Sequence, residues 1–125
     1  MKKLAAALAL VLALALGHSA AAEKVILSTA TTTTSSVYKV GGLFAAFIQI
    51  EAASGTADAT VIVEQRMGPH SSWQTVQTVV SPVAGAVAYR LEPCGEVRVR
   101  VPAWNSGTVL VTLTGYALTG TEMTW

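Results

Sequence analysis

The chain has 125 residues and a formal net charge of +1, with 12% of its residues charged and 52% hydrophobic. That length suits one domain with a modest core, and the near-neutral charge excludes the basic field that general nucleic-acid binding requires. A single cysteine, Cys94, excludes an intramolecular disulfide.

The first feature along the chain is a leader. Lys2 and Lys3 form a positive start, Leu4 to Leu16 is an unbroken Ala/Leu/Val run, Gly17 interrupts it, and Ala20-Ala21-Ala22 supplies small residues before Glu23. This pattern reads as a secretory signal peptide over residues 1–22, with an apolar run too short for a comfortable transmembrane helix. The expected location is secreted or periplasmic, through a bacterial Sec-type signal, with no stable membrane insertion after cleavage. Removing Lys2 and Lys3 turns the slight positive charge of the whole chain into a slight negative one. A lipid-anchored protein needs its cysteine at the cleavage site, and Cys94 lies far from it. Cys94 is read as a turn residue with its thiol tucked inward, the alternative being an intermolecular bridge.

Val25-Ile26-Leu27 is a short β-prone start, and Ser28 to Ser36 is almost entirely threonine and serine with no apolar face. Residues 23–36 are therefore expected to form an N-terminal arm, a tether or exposed edge; an O-glycosylated or swappable arm is the functional alternative. A sandwich domain is expected over 37–125. Strands are expected at Val37–Val40, Leu43–Ala52, Thr60–Met67, Trp73–Val80, Ala86–Leu91, Glu96–Val101 and Thr108–Leu118, with Gly, Pro, Ser and Asp clusters marking the turns. The clearest is Glu96–Val101, where Glu96, Arg98 and Arg100 alternate with Val97, Val99 and Val101, giving one wet and one dry face. In Leu43–Ala52, Phe44, Ala46, Ile48 and Ile50 share a face. In the last strand Val109, Val111 and Leu113 point inward and Thr112, Thr114 and Tyr116 outward. Pro102 and Trp104-Asn105-Ser106-Gly107 are read as a turn, and Trp73 as a core residue.

These strands and the absence of a convincing helix after the leader predict an all-β fold. It is expected to be an antiparallel β-sandwich, Ig-like or jelly-roll-like, of about seven to eight strands. Periodicity does not separate it from a small barrel. Sequential antiparallel pairing is the default, because the turns are too short for parallel crossovers.

Past the leader there is one histidine (His70), one aspartate (Asp58), one cysteine (Cys94) and one asparagine (Asn105). Cys94, His70 and Asn105 are the right three types for a thiol hydrolase, but each lies in a different turn. No catalytic residue is assigned, and the chain is read as non-enzymatic. No ligand spacing marks a metal site and no glycine-rich loop marks a phosphate site, so no cofactor is expected. Two clusters remain. Glu64 and Arg66 share a face of one strand, as do Glu96, Arg98 and Arg100 of another, and neighbouring strands would ion-pair across them. The functional alternative is a patch for carboxylate or phosphate, which the arginine fork suits. Trp104, in its turn, is read as capping the sandwich end or as a contact to glycan or protein. The candidate surface contacts are thus Arg66, Arg98, Arg100 and Trp104. The partners they suit are protein or glycan, with homo-oligomerisation open.

The order of features from Ser54 onward carries a resemblance. Ser54-Gly55-Thr56 precedes the strand Thr60-Val61-Ile62-Val63-Glu64-Gln65-Arg66, followed by a turn and Trp73. Tyr89-Arg90-Leu91-Glu92-Pro93 with Gly95, Val97-Arg98-Val99-Arg100 and Ser106-Gly107-Thr108 then follow. This resembles small β-sandwich structural proteins of tailed phages and prophages, associated with the particle surface or tail, over residues of about 54–118. The resemblance implies a non-enzymatic sandwich. The chain departs from it in its Gly68-Pro69-His70 turn, where an Asp-Gly-Gly type turn is expected, and in its leader. The leading expectation is an exported structural or binding module. The alternatives are a virion surface or tail-associated protein, a strand-swapped filament subunit built on Val25-Ile26-Leu27, and a small outer-membrane β-barrel. The last is suggested by Trp125 after Met123 and Thr121.

Overall fold

The structure, a computed structural model, describes residues 20–85 and 88–117. The expected leader core, Lys2 to Gly17, and the terminal Thr121, Met123 and Trp125 lie outside the described residues. Nine strands are described: β1 (Ala20–Thr29), β2 (Thr33–Thr34), β3 (Tyr38–Lys39), β4 (Ala45–Ala52), β5 (Asp58–Arg66), β6 (Gln74–Val80), β7 (Ala88–Leu91), β8 (Glu96–Ser106) and β9 (Val109–Ala117). The excess over seven or eight comes from two-residue edge strands in the Thr/Ser-rich region and just after it.

The strands form two antiparallel sheets, one ordered β1-β9-β4-β7 and the other β2-β8-β5-β6, with β3 also on β8. Their inner faces meet over one core, so the fold is a β-sandwich. Two separate sheets with valines turned inward correct the outer-membrane barrel alternative, which needs one closed sheet with apolar side chains facing out. Period-two alternation builds the core: Ala46, Ile48, Ile50 and Ala52 from β4 and Val109, Val111 and Leu113 from β9 meet Val61 and Val63 from β5 and Val97, Val99 and Val101 from β8. Each fully buried valine, leucine or isoleucine contributes roughly 1.5–3 kcal/mol of transfer free energy.

Pairing departs from sequential order. Of the consecutive strands, β5 and β6 form a hairpin, whereas β4 to β5, β7 to β8 and β8 to β9 each cross between sheets. A short loop over the end of a sandwich spans the ~10 Å between sheets as readily as it joins neighbours within one. Between β8 and β9 only Gly107 and Thr108 are needed, with Gly107 at φ 82.

Strand β8 runs on through the segment expected as a turn. Its register with β5 shifts twice, between Thr60 and Ile62 and between Asp58 and Ala59, so that Val101 and Pro102 together oppose Val61 and Asn105 is an extra residue. A bulge tolerates a proline because its missing N–H is not needed in the ladder. In β4 the inward set is Ala46, Ile48 and Ile50, while Phe44 precedes the strand and stays 68% exposed. The alternation puts it on one face with Ala46, Ile48 and Ile50, but the chain reaches β geometry only after the Gly41-Gly42 turn, from Ala45 onward.

The Thr/Ser-rich segment takes the form of an edge. A bulge in β1 between Val25 and Leu27 lets both Ile26 and Leu27 pack on the core. The chain then moves to the second sheet, where Thr33 and Thr34 pair with Val101 and Arg100. Ser35 continues this edge: its N–H donates to the Val99 carbonyl at 2.8 Å and its hydroxyl accepts from the Val99 N–H at 2.9 Å. Lys24 of β1 reaches across to the Tyr38 ring, 5.3 Å from its centroid, joining the two sheets along that edge. Val25 and Leu27, on either side of the bulge, pair with Thr112 and Val111 of β9 in the same chain.

Candidate functional site

The outer face of the β5–β8 pair carries a continuous charged layer. Antiparallel register sets Glu64 opposite Arg98 and Arg66 opposite Glu96, with Arg100 one pair further along opposite Ile62. Glu64 Oε1 accepts from Arg98 Nε at 2.9 Å and from Arg100 Nε at 2.7 Å, and Glu96 Oε2 accepts from Arg66 Nε at 2.7 Å. The cross-strand ion pairs expected between these segments are therefore present. Glu64 is buried at 6% exposure, although it lies on the outer face, because the two arginine side chains cover it. Burial pushes its carboxyl toward the neutral form. The hydrogen bonds from Arg100 and Arg98 and the two guanidinium charges outweigh that, so Glu64 titrates below the ordinary carboxylate range.

Trp73 completes the layer, in a place its sequence context did not indicate. It lies just before β6 and is half-buried among charges, outside the apolar core. The Arg66 guanidinium lies 4.4 Å and that of Arg98 4.3 Å from the indole ring. An arginine already neutralised by a carboxylate stacks on an aromatic face at little desolvation cost. Three arginines and two glutamates leave this face one positive charge in excess. Arg98 and Arg100 keep 27% and 35% of their side-chain surface in solvent.

At the Arg66 end, the sheet runs into an open cleft of about 390 Å³ walled by the β5–β6 and β7–β8 connections. Met67, Ser71, Ser72 and Gln74 line one side and Glu92 and Cys94 the other, with Gln65 and Arg66 at the base. Two devices hold these connections together. The Gln65 side chain donates to the Glu92 carbonyl at 2.9 Å and accepts from the Glu92 N–H at 3.3 Å. Gly95, at φ 66, lies so close to β5 that a Cβ there would sit 1.9 Å from the Arg66 carbonyl oxygen. Glycine is the residue that fits both constraints. Cys94 is half-buried with its thiol against the Met67 thioether, Sγ to Sδ 3.8 Å, on the cleft wall and outside the core cluster. The expectation of a thiol tucked inward is corrected: Gly95 turns the chain before the inward strand positions of β8 begin.

The candidate surface residues divide into two groups. Arg66, Arg98 and Arg100 come together; Trp104 lies toward the opposite end of the β5–β8 pair, opposite Ala59. There it packs against the core, and its indole N–H donates to the Gly107 carbonyl at 2.8 Å, so it caps that end of the sandwich. The same geometry separates Cys94 from Asn105, whose amide donates to Asp58 Oδ2 at 3.1 Å at the Trp104 end. Cys94, His70 and Asn105 therefore do not form one site. Among the described residues, no group of three or more His, Cys, Asp or Glu side chains converges as a metal site.

No family model matches the chain, and no curated protein matches it in sequence. A solved structure with a similar fold is that of the SPBc2 prophage-derived protein YomS. It aligns with a TM-score of 0.60 at 11% sequence identity, over 80% of this chain and 96% of that one. At that identity the likeness bears on the fold alone.

Proposed function

We propose that the chain is an exported, non-enzymatic structural or binding module that engages its partner through the arginine-rich face of the β5–β8 pair. The observation that carries this reading is the Glu64–Arg98–Arg100 and Arg66–Glu96 layer stacked on Trp73. Isolated surface ion pairs add little stability, so a layer this organised is better suited to holding guanidinium groups in a fixed array. Such an array suits carboxylates, on an acidic glycan or on a protein. Immobilised protein should retain acidic oligosaccharides or an acidic protein partner, and Arg98→Ala with Arg100→Ala should reduce that retention severalfold while leaving the fold intact. Retention indifferent to both substitutions would remove the face from the proposal.

A second reading has its own support. The fold is shared with a prophage-derived protein over nearly the whole length of the latter, and the order of turns from Ser54 to Thr108 resembles phage structural sandwiches. On this reading the chain is a particle-associated structural protein. Mass spectrometry of purified particles and of the periplasmic and culture fractions separates the two. A chain in particles with Lys2 and Lys3 retained supports the virion role; one beginning at Glu23 outside the cytoplasm supports export.

A further inference from the structure

We infer that β6 is the edge through which two copies of this chain pair, antiparallel and about a two-fold axis at Thr78, joining their β2-β8-β5-β6 sheets into one. β6 ends that order and, among the described residues, pairs only with β5. Exposed strand edges recruit further strands unless charge, proline, shortness or a bulge guards them. The other sheet edges are guarded. β1 carries Glu23 and Lys24 and a bulge between Val25 and Leu27, β7 has four residues with Arg90 among them, and β2 and β3 have two residues each. By contrast, the seven residues of β6, Gln74-Thr75-Val76-Gln77-Thr78-Val79-Val80, include no charge, proline or glycine. Its one guard is the bulge opposite Glu64, and residues 77–80 stay in continuous register with β5.

The backbone fixes where a second strand sits. Ser81 N–H donates to the Ala59 carbonyl at 2.9 Å, and alternation along the ladder from that bond turns Val79 and Gln77 toward β5 and the N–H and carbonyl groups of Val80 and Thr78 away from it. The Thr78 carbonyl instead accepts from the side-chain amide of neighbouring Gln77, at a long 3.4 Å. With the axis at Thr78, that residue exchanges both backbone bonds with its own copy, and Val80 stands opposite Val76 of the second copy. These valines are 69% and 43% exposed in the single chain, and β-branched side chains paired across strands are mutually stabilising. Self-complementarity commits the edge to a second copy. Two-fold pairing sets the strand against itself, which would bring like charges together in a charged strand and brings none together in β6. The axis stands perpendicular to the joined sheet, so the arginine-bearing faces of both copies lie on the same side, whatever they bind.

Pairing through one strand edge buries less than the ~1,200 Å² of a standard interface, so the dimer should be reversible, with a dissociation constant on the order of 100 μM. Sedimentation velocity of the purified protein across that range should show monomer giving way to dimer. Thr78→Lys brings two charges together at the axis and should weaken association by about tenfold or more. Val37→Lys, at an exposed apolar position outside the strands, should leave association unchanged. Circular dichroism and urea midpoints establish that the variants remain folded. Crosslinking reads the register independently: in a Cys94→Ser background, Thr78→Cys should form an intermolecular disulfide under mild oxidation faster than Val83→Cys, which lies beyond the strand. A protein that stays monomeric up to about ten times the expected dissociation constant would overturn the inference. So would a dimer indifferent to Thr78→Lys, or crosslinking no faster through position 78 than through position 83.

Discussion

Glu64→Gln tests the charged layer directly. The substitution keeps shape and an oxygen acceptor but removes the charge that holds Arg98 and Arg100, both bonded to the same Oε1 at 2.9 and 2.7 Å. Charge-assisted hydrogen bonds contribute about 1.5–3 kcal/mol each where they are well shielded. The two arginines are 27% and 35% exposed, so solvent screening reduces each, and the desolvation of Glu64 is relieved in the variant. The loss expected at neutral pH is therefore about 1–2 kcal/mol in total. The pH dependence has a definite sign. The Glu64 carboxyl titrates below its ordinary range in the folded protein, so its stabilising contribution is complete above the unfolded-state value. That contribution disappears as pH falls through the lowered folded value. Urea unfolding of wild type and Glu64→Gln, repeated from neutral pH to well below the ordinary glutamate range, should show a gap that closes on acidification. A gap that stays constant through that range, or that is already absent at neutral pH, would refute the assignment of the layer to Glu64.

The turn, the core and the indole each give a further prediction. Gly95→Ala must place a Cβ 1.9 Å from the Arg66 carbonyl oxygen at φ 66, so a loss of at least about 3 kcal/mol is expected. Gly42→Ala, at φ 84 with nothing within 4 Å, should lose only about 1–2 kcal/mol, and equal losses in the two thermal melts would contradict the close approach. Ile48→Ala removes a fully buried side chain from the centre of β4 and should cost about 2–5 kcal/mol in a denaturant titration. Trp73→Ala removes the plane on which Arg66 and Arg98 stack, for a loss of about 1–2 kcal/mol, and should shift the Glu64 titration seen by NMR because Arg98 is freed to move.

Alternation made much of this fold readable, and where alternation stops so does the reading. Val97, Val99 and Val101 against Glu96, Arg98 and Arg100 specify both faces of β8 without reference to any other strand. The pairing of Glu64 with Arg98 and Arg100 followed once β5 and β8 were neighbours. That they are neighbours was not legible: loops of similar length join strands within a sheet and across the sandwich, so local sequence does not distinguish β4-to-β5 crossing from β5-to-β6 turning. Pro102 reads as a breaker because the cue is local, whereas the bulge that accommodates it depends on the count of residues in β5 opposite. Trp73 reads as core because an indole is mostly apolar, and only the placement of two arginines over it gives it another environment. Cys94 and Met67 are the extreme case, two sulfurs whose proximity depends on the Gln65 clamp and the Gly95 contact together.

A cut before Glu23, where the sequence pattern expects a leader to end, can be weighed against what the sandwich needs of β1. Cutting before Glu23 would remove Ala20, Ala21 and Ala22, and with them the register pairs to Ala117, Tyr116 and Gly115. The rest of the strand would keep its pairing from Glu23 opposite Thr114 to Thr29 opposite Val109. After the cut, Ile26 and Thr29 are buried and Leu27 packs on the core, whereas Glu23, Lys24 and Val25 are exposed; before it, Ala21 is exposed and Ala22 half-buried. Lys24, which reaches Tyr38 across the edge of the sandwich, also survives the cut. Cleavage there would shorten the ladder and remove the half-buried Ala22, but would leave Ile26 and Leu27 on the core. A chain beginning at Glu23 should match the full-length protein in its urea midpoint within the small loss of one strand end. A chain beginning at Ser28, which loses Ile26 and Leu27, should be destabilised by several kcal/mol on the usual scale for buried aliphatic side chains. If the Glu23 form were the one that failed to fold, β1 would be a unit that must stay whole, and cleavage at that bond would have to be abandoned.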